Sequence, residues 1–205
     1  MNKPSFSNWS TAEKHLSLKS DIMSNLISKY GPCSLEPRVD FFASLCESII
    51  SQQLATKAAD AINRRFTAYY NYKVGPELIL STSIEQLRQL GLSNQKCNYI
   101  FDLAAKFQAN EITPNAFFTM SDQEIIDQLI NVKGIGIWTA QIFLIFALNR
   151  PDVFPADDLG LKKALQNLYL LDALPNKTQI ENLTTPFKPY RTTASWYLWR
   201  SLENK

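Results

Sequence analysis

The sequence predicts an all-α protein, and three observations carry that prediction. Apolar residues recur three and four positions apart in almost every segment, the spacing of one helix face. A Ser or Thr is followed three residues later by Glu at Ser10, Thr82, Ser121 and Thr178, the pattern of reciprocal N-terminal capping. No run alternates polar and apolar residues over the length of a strand.

The elements come in chain order. Ser10 and Glu13 open a first helix with Leu16, Ile22, Met23, Leu26 and Ile27 on one side, and Tyr30-Gly31-Pro32 ends it. Phe41, Phe42, Leu45, Ile49 and Ile50 mark a second helix; Ala58, Ala59, Ile62, Phe66 and Tyr69 mark a third. Leu78-Ile79-Leu80 is apolar but too short to found a sheet. Thr82 and Glu85 precede Leu87 and Leu90, and the turn at Gly91-Leu92-Ser93 leads to a helix with Ile100, Leu103 and Phe107. Thr178 and Glu181 start another helix near the end.

The chemistry concentrates between residues 121 and 165. Ser121 and Glu124 cap a short helix carrying Ile125, Ile126 and Leu129. Lys133-Gly134-Ile135-Gly136 breaks the pattern, since two glycines permit torsions and close approaches that side chains forbid. A further helix starts at once, from Ile137 to about Asn149, so its first amides suit a phosphate oxygen. This looks like a helix-hairpin-helix, a module that reads the DNA backbone. The carboxylates of Asp157 and Asp158 then open the next helix, where either can act as its cap.

This arrangement resembles the helix-hairpin-helix Gly/Pro-Asp superfamily of DNA base-excision glycosylases, and within it the 3-methyladenine DNA glycosylase II family. The resemblance rests on the hairpin, on the proline-bearing loop Val153–Leu161, and on the stretches 49–62, 91–104 and 186–200. It spans about residues 15 to 200. It implies two helical lobes with an interlobe cleft holding the active site. One lobe is expected at about 1–35 plus 155–205 and the other at 36–154, with the hairpin at 121–149 and no N-terminal β domain.

The resemblance also assigns roles. Asp158 matches the family's essential aspartate, beside the sugar whose positive charge grows as the base leaves. Asp157 is placed beside it as a supporting residue of the substrate pocket, or is a cap. Bifunctional relatives carry a lysine two residues beyond the second hairpin glycine, whose amine forms a Schiff base with the sugar. Trp138 stands there, and Lys133 lies before the glycines, which implies a monofunctional hydrolase. By composition alone Trp138 reads as core; the resemblance puts it in the base pocket. Tyr190 follows Pro189 where relatives carry an aromatic residue, and electron-rich rings attract a cationic alkylpurine. Trp196, Tyr197 and Trp199 read as core at helical spacing. Gln53 matches the residue that fills the gap left by a flipped base. Lys133, Gly134 and Gly136 form the phosphate clamp, with Lys162, Lys163 and Arg191 as further candidates for phosphate contact. The carbonyls of Ile130, Val132 and Ile135 are candidates for a structural monovalent ion, and no catalytic metal or cofactor is expected.

Composition is compatible with this reading without requiring it. The chain has 205 residues, 45% of them hydrophobic, and a net charge of +2, too mild to argue for nucleic acid by itself. Cys33, Cys46 and Cys97 are far apart, which favours reduced thiols, opposes structural zinc, and leaves out the four-cysteine iron–sulfur loop of endonuclease III relatives. No signal peptide or membrane-spanning run is expected. The expected partner is double-stranded DNA with damaged bases, bound by a monomer in the cytoplasm and nucleoid of a bacterium or the nucleus of a eukaryote. The leading expectation is a glycosylase that flips out alkylated purines such as 3-methyladenine and leaves an abasic site. A non-catalytic DNA-binding protein using the hairpin as a clamp is the alternative, followed by a glycosylase/lyase.

Overall fold

The computed structural model describes residues 9–203. Twelve α-helices and two short 3-10 turns account for all regular structure among them, and no strand is present in these residues. The helices are α1 (Trp9–Lys19), α2 (Asp21–Tyr30), α3 (Phe41–Ser51), α4 (Thr56–Tyr69), α5 (Pro76–Leu80) and α6 (Ile84–Gln89). They continue as α7 (Asn94–Gln108), α8 (Asp122–Leu129), α9 (Ile137–Phe146), α10 (Leu159–Leu168), α11 (Lys177–Thr184) and α12 (Arg191–Arg200).

The chain divides into two compact units, residues 1–37 with 144–205, and residues 38–143. The second division falls inside α9, earlier in the chain than the 154/155 boundary expected from sequence. An apolar helix too regular to interrupt carries the chain across it, so no composition change marks the place.

In the first unit, α12 packs on α1, α2 and α10. Leu16, Met23, Leu161, Leu165, Ala194 and Leu198 are buried between them. Burying each of the Leu and Met side chains contributes about 1.5–3 kcal/mol. The single N-terminal helix expected from periodicity is two helices. Ser20 adopts extended backbone and its hydroxyl accepts from Met23 N–H, which starts α2 afresh. Ser10 lies inside α1 and caps nothing. Glu13 turns instead to the core, where its Oε1 accepts from Cys33 N–H at 2.7 Å. The Tyr197 hydroxyl lies 2.8 Å from that same oxygen and 2.8 Å from the Gly31 carbonyl.

In the second unit, α3 packs on α4 and α7, and α7 also takes α5 and α6. Phe41, Phe117 and Phe143 meet with ring centroids 5.6–5.8 Å apart. The apolar Leu78-Ile79-Leu80 run is the helix α5, opened by Pro76 at its first turn. The cap expected at Thr82 lies one residue on, where Ser83 and Gln86 form a capping box. Thr82 is buried and its hydroxyl accepts from Tyr70. The cap expected at Thr178 is likewise Asn176 with Gln179. The box at Ser121 and Glu124 forms where the sequence puts it.

Replacing Tyr197 with Phe leaves Glu13 and Gly31 short of one donor in a partly buried site. Tyr197→Phe is expected to destabilise the fold by about 1–2 kcal/mol, seen as a lower urea midpoint at unchanged slope. An unchanged midpoint would show that the hydroxyl contributes nothing net.

Candidate active site and DNA interface

The hairpin turn is built from local constraints and from α7. Gly134 has φ +83°, and a Cβ there would stand 2.1 Å from the Tyr99 ring, so both its torsion and its surroundings require glycine. Asp102, also on α7, accepts the Lys133 backbone N–H at 2.9 Å and pairs with Lys106. Burial pushes the Asp102 pKa up, but the Lys133 amide and the Lys106 ammonium outweigh it and hold it below the ordinary value. Its stabilising contribution is therefore complete above the unfolded value of about 3.9 and is lost as pH falls through the lower folded one.

Within the turn, Ile135 N–H donates to the Val132 carbonyl. The Ala140 N–H returns to the Gly136 carbonyl, so the amides of Gly136 and Ile137 precede the first intrahelical bond of α9. Gly136 differs from Gly134. No atom lies within 4 Å of where its Cβ would be, and its φ is not in the left-handed region. By sequence both glycines look like conformational necessities; only Gly134 is one. Lys133's amide, expected to serve phosphate, is engaged by Asp102.

Next to this turn lies the end of α3. The Gln52 side chain donates to the Gly134 carbonyl at 2.8 Å and reaches Thr139 Oγ1 at 3.4 Å. Lys96 Nζ donates to the carbonyls of Ile50 at 2.6 Å and Gln52 at 2.8 Å. Gln53 is exposed and has a left-handed backbone, φ +57°. Trp138, in the first turn of α9, keeps 43% of its surface exposed.

In the other unit, Asp158 is the N-cap of α10. Its Oδ1 accepts from Leu161 N–H at 2.8 Å and from the Trp199 indole N–H at 3.0 Å. Trp199 stacks on Phe146, centroids 5.6 Å apart and planes 28° from parallel. Gly160 sits under this contact: a Cβ would be 3.0 Å from Asp158 Oδ1 and 3.3 Å from the Trp199 ring. Two donors on one oxygen fix the plane of the carboxylate.

A family model for "HhH-GPD superfamily base excision DNA repair protein" matches residues 46–189, from α3 through the Asp158 loop to Pro189. The chain belongs to this HhH-GPD superfamily. Among similar proteins is the Schizosaccharomyces pombe "Alkylbase DNA glycosidase-like protein mag2", 34% identical over 201 residues covering 95% of this chain and 94% of that protein. The "DNA-3-methyladenine glycosylase 1" of the same organism is 35% identical over 86% of this chain and 78% of its own length. The solved structure of that organism's 3-methyladenine DNA glycosylase Mag1 in complex with abasic DNA has a TM-score of 0.85, 33% identity, and covers 93% of this chain and 96% of that one.

Several residues of this HhH-GPD chain stand differently from what their sequence suggests. Asp157 is exposed and drawn into ion pairs with Lys177 at 3.1 Å and Lys162 at 3.6 Å. The Lys177 contact, reinforced by the charge of Lys162, lowers its pKa. It belongs to the surface, and the cap is Asp158 alone. The guanidinium of Arg191 forms a two-point pair with Asp152 at 2.8 and 2.9 Å. Tyr190 meets the His15 ring edge-on at 5.3 Å. Trp199, which reads as core, is the indole donor to Asp158. Its helical spacing from Trp196 gives no sign of that, because the partner lies on another helix. Nothing in the sequence marks Gln52, Lys96 or Asp102. Among the described residues no cluster of His, Cys, Asp or Glu fits a metal ion, and Val132's carbonyl, one of three considered for a monovalent ion, already accepts within the turn.

The two hairpin glycines are expected to behave oppositely. Gly134→Ala strains the backbone and drives into Tyr99, with a loss of roughly 2–4 kcal/mol in unfolding free energy. Gly136→Ala leaves stability unchanged or slightly raised. Paired denaturant melts check both, and equal losses would refute the distinction.

Proposed function

We infer that this protein is a base-excision DNA glycosylase that hydrolyses the N-glycosidic bond of alkylated bases and leaves an abasic site. The observation that carries the reading is Asp158, a carboxylate fixed at a helix N-terminus by Leu161 and the Trp199 indole, in a chain whose relatives are named as 3-methyladenine and alkylbase glycosylases.

The chemistry derives from that geometry. As the bond between C1′ and the base nitrogen breaks, the base keeps the electron pair and positive charge grows on the deoxyribose. A fixed carboxylate stabilises that charge without having to reorganise. A water oxygen then bonds to C1′, and the carboxylate orients it and accepts its proton. Trp199 acts through Asp158 by holding its plane. A purine alkylated at a ring nitrogen such as N3 is already cationic and departs neutral, so an exposed aromatic face such as Trp138 attracts it in the bound state.

On the DNA side, the amides of Gly136 and Ile137 take a backbone phosphate, and Gln53 enters the stack when the base leaves. Gly136 has open space at its Cβ position, so its lack of a side chain serves an approaching phosphate rather than the fold. Three free and buried cysteines fit a reducing compartment, the nucleus or a bacterial nucleoid. No helix of the described residues is long and apolar enough to cross a membrane.

Two experiments test the chemistry. Asp158→Asn is expected to slow single-turnover release of 3-methyladenine at least about a hundredfold, with lesion-duplex binding largely kept; near-normal excision would remove Asp158 from the mechanism. Because Trp138 stands where a Schiff-base lysine would, borohydride is expected to trap no enzyme–DNA adduct, and product strands break only after alkali. Efficient trapping mapped to one lysine would refute the monofunctional reading. The clamp is tested by Gly136→Ala, which is expected to weaken lesion and undamaged duplex alike, since phosphate contacts carry no base information.

A further inference from the structure

We propose that Gln52 is a positioning residue that locks the Gln53 turn to the hairpin turn, so that phosphate gripping and base extrusion act as one body. The proposal rests on the wedge and clamp roles inferred above and adds the part that connects them.

Three observations converge on Gln52. Its side-chain amide spans from the end of α3 to the hairpin, 2.8 Å from the Gly134 carbonyl and 3.4 Å from Thr139 Oγ1. Its own carbonyl, with that of Ile50, is held by Lys96 Nζ. The next residue, Gln53, has φ +57° although it is not glycine. A side-chain-bearing residue keeps that sparsely populated conformation only where its surroundings over-determine it. Here the residue before it is anchored at both ends, by its side chain and by its carbonyl.

The anchors share one support. Lys96, Tyr99 and Asp102 lie three residues apart along α7 and so fall on one helix face. Lys96 holds the carbonyls at the end of α3, Tyr99 lies against Gly134, and Asp102 accepts the Lys133 amide. Burial lowers the Lys96 pKa, and the two carbonyls replace the water it has lost. Both turns are thus referenced to a single rigid helix, and Gln52 closes the bracket by joining them directly. When a phosphate is seated at Gly136, the distance from it to Gln53 is already set. Without Gln52 the wedge turn keeps its sequence but loses its fixed register to the clamp.

The test is a double-mutant cycle read by fluorescence anisotropy, at one salt concentration, on a duplex with a tetrahydrofuran abasic analogue and on plain duplex. Gln52→Met keeps the side chain's length and removes its donor. It is expected to lower affinity for the abasic duplex about three- to tenfold, to change plain-duplex affinity little, and to have no further effect in a Gln53→Ala background. Additive losses, or equal losses on both duplexes, overturn the proposal. So does unchanged abasic affinity in Gln52→Met while Gln53→Ala remains impaired, and in that case the wedge reading stands. Undiminished abasic affinity in Gln53→Ala brings down the wedge reading and the proposal together. If Gln52→Met does not fold, Gln52→Asn keeps the amide but shortens its reach, and the same comparison applies.

Discussion

Gly134 lies against the Tyr99 ring so closely that no side chain fits between them. The left-handed torsion at Gly134 and the face of α7 therefore fix the hairpin jointly. Asp102 holds the amide before it and Gln52 holds its carbonyl, so the turn is pinned on each side. Helix α9, with Trp138 in its first turn, takes its direction from this point. Contacts from the end of α3 and from α7 keep the turn in place.

Asp158 is held in a comparable way in the other unit. Its carboxylate would serve as an ordinary helix cap, and it does accept the Leu161 amide. The indole of Trp199 adds a second donor to the same oxygen. Gly160 makes room for that contact, since any larger residue would press on both the carboxylate and the ring. The cap and the indole together set the orientation of this one carboxylate. The neighbouring Asp157, identical in type, is drawn away by Lys162 and Lys177. Two adjacent residues of the same chemistry are separated by what their side chains meet.

The polar contacts that matter most join residues far apart in sequence. Tyr197 meets Glu13, Lys96 meets the end of α3, and Arg191 meets Asp152. Each involves a group that a sequence scan reads as surface charge or apolar filler. Arg191 and Lys162 look like candidates for phosphate when only their type is known. Inside the fold each has a carboxylate within reach, which is the nearer partner for a charge held at the protein surface.

What the sequence determined by itself is local. Helical periodicity, the capping box at Ser121, the break at Lys133–Gly136 and the acidic pair before α10 depend on neighbours three or four residues away, and their outcome was legible without the fold. Even so, two caps were displaced by one or two residues: Ser83 caps on the Gln86 amide while the Thr82 hydroxyl is engaged by Tyr70, and Asn176 caps on the Gln179 amide, which leaves Thr178 inside the helix. Ser20 divided a helix that apolar spacing alone would have continued. The tertiary structure decided which glycine is required by the fold, which aspartate is a cap, and which tryptophan donates to it. It also decided that Gln52, the neighbour of Gln53, is tied to the hairpin turn. The glycine, the tryptophan and Gln52 are decided by contacts between residues tens of positions apart, and a contact of that kind leaves no period, spacing or composition in the chain from which it could be read.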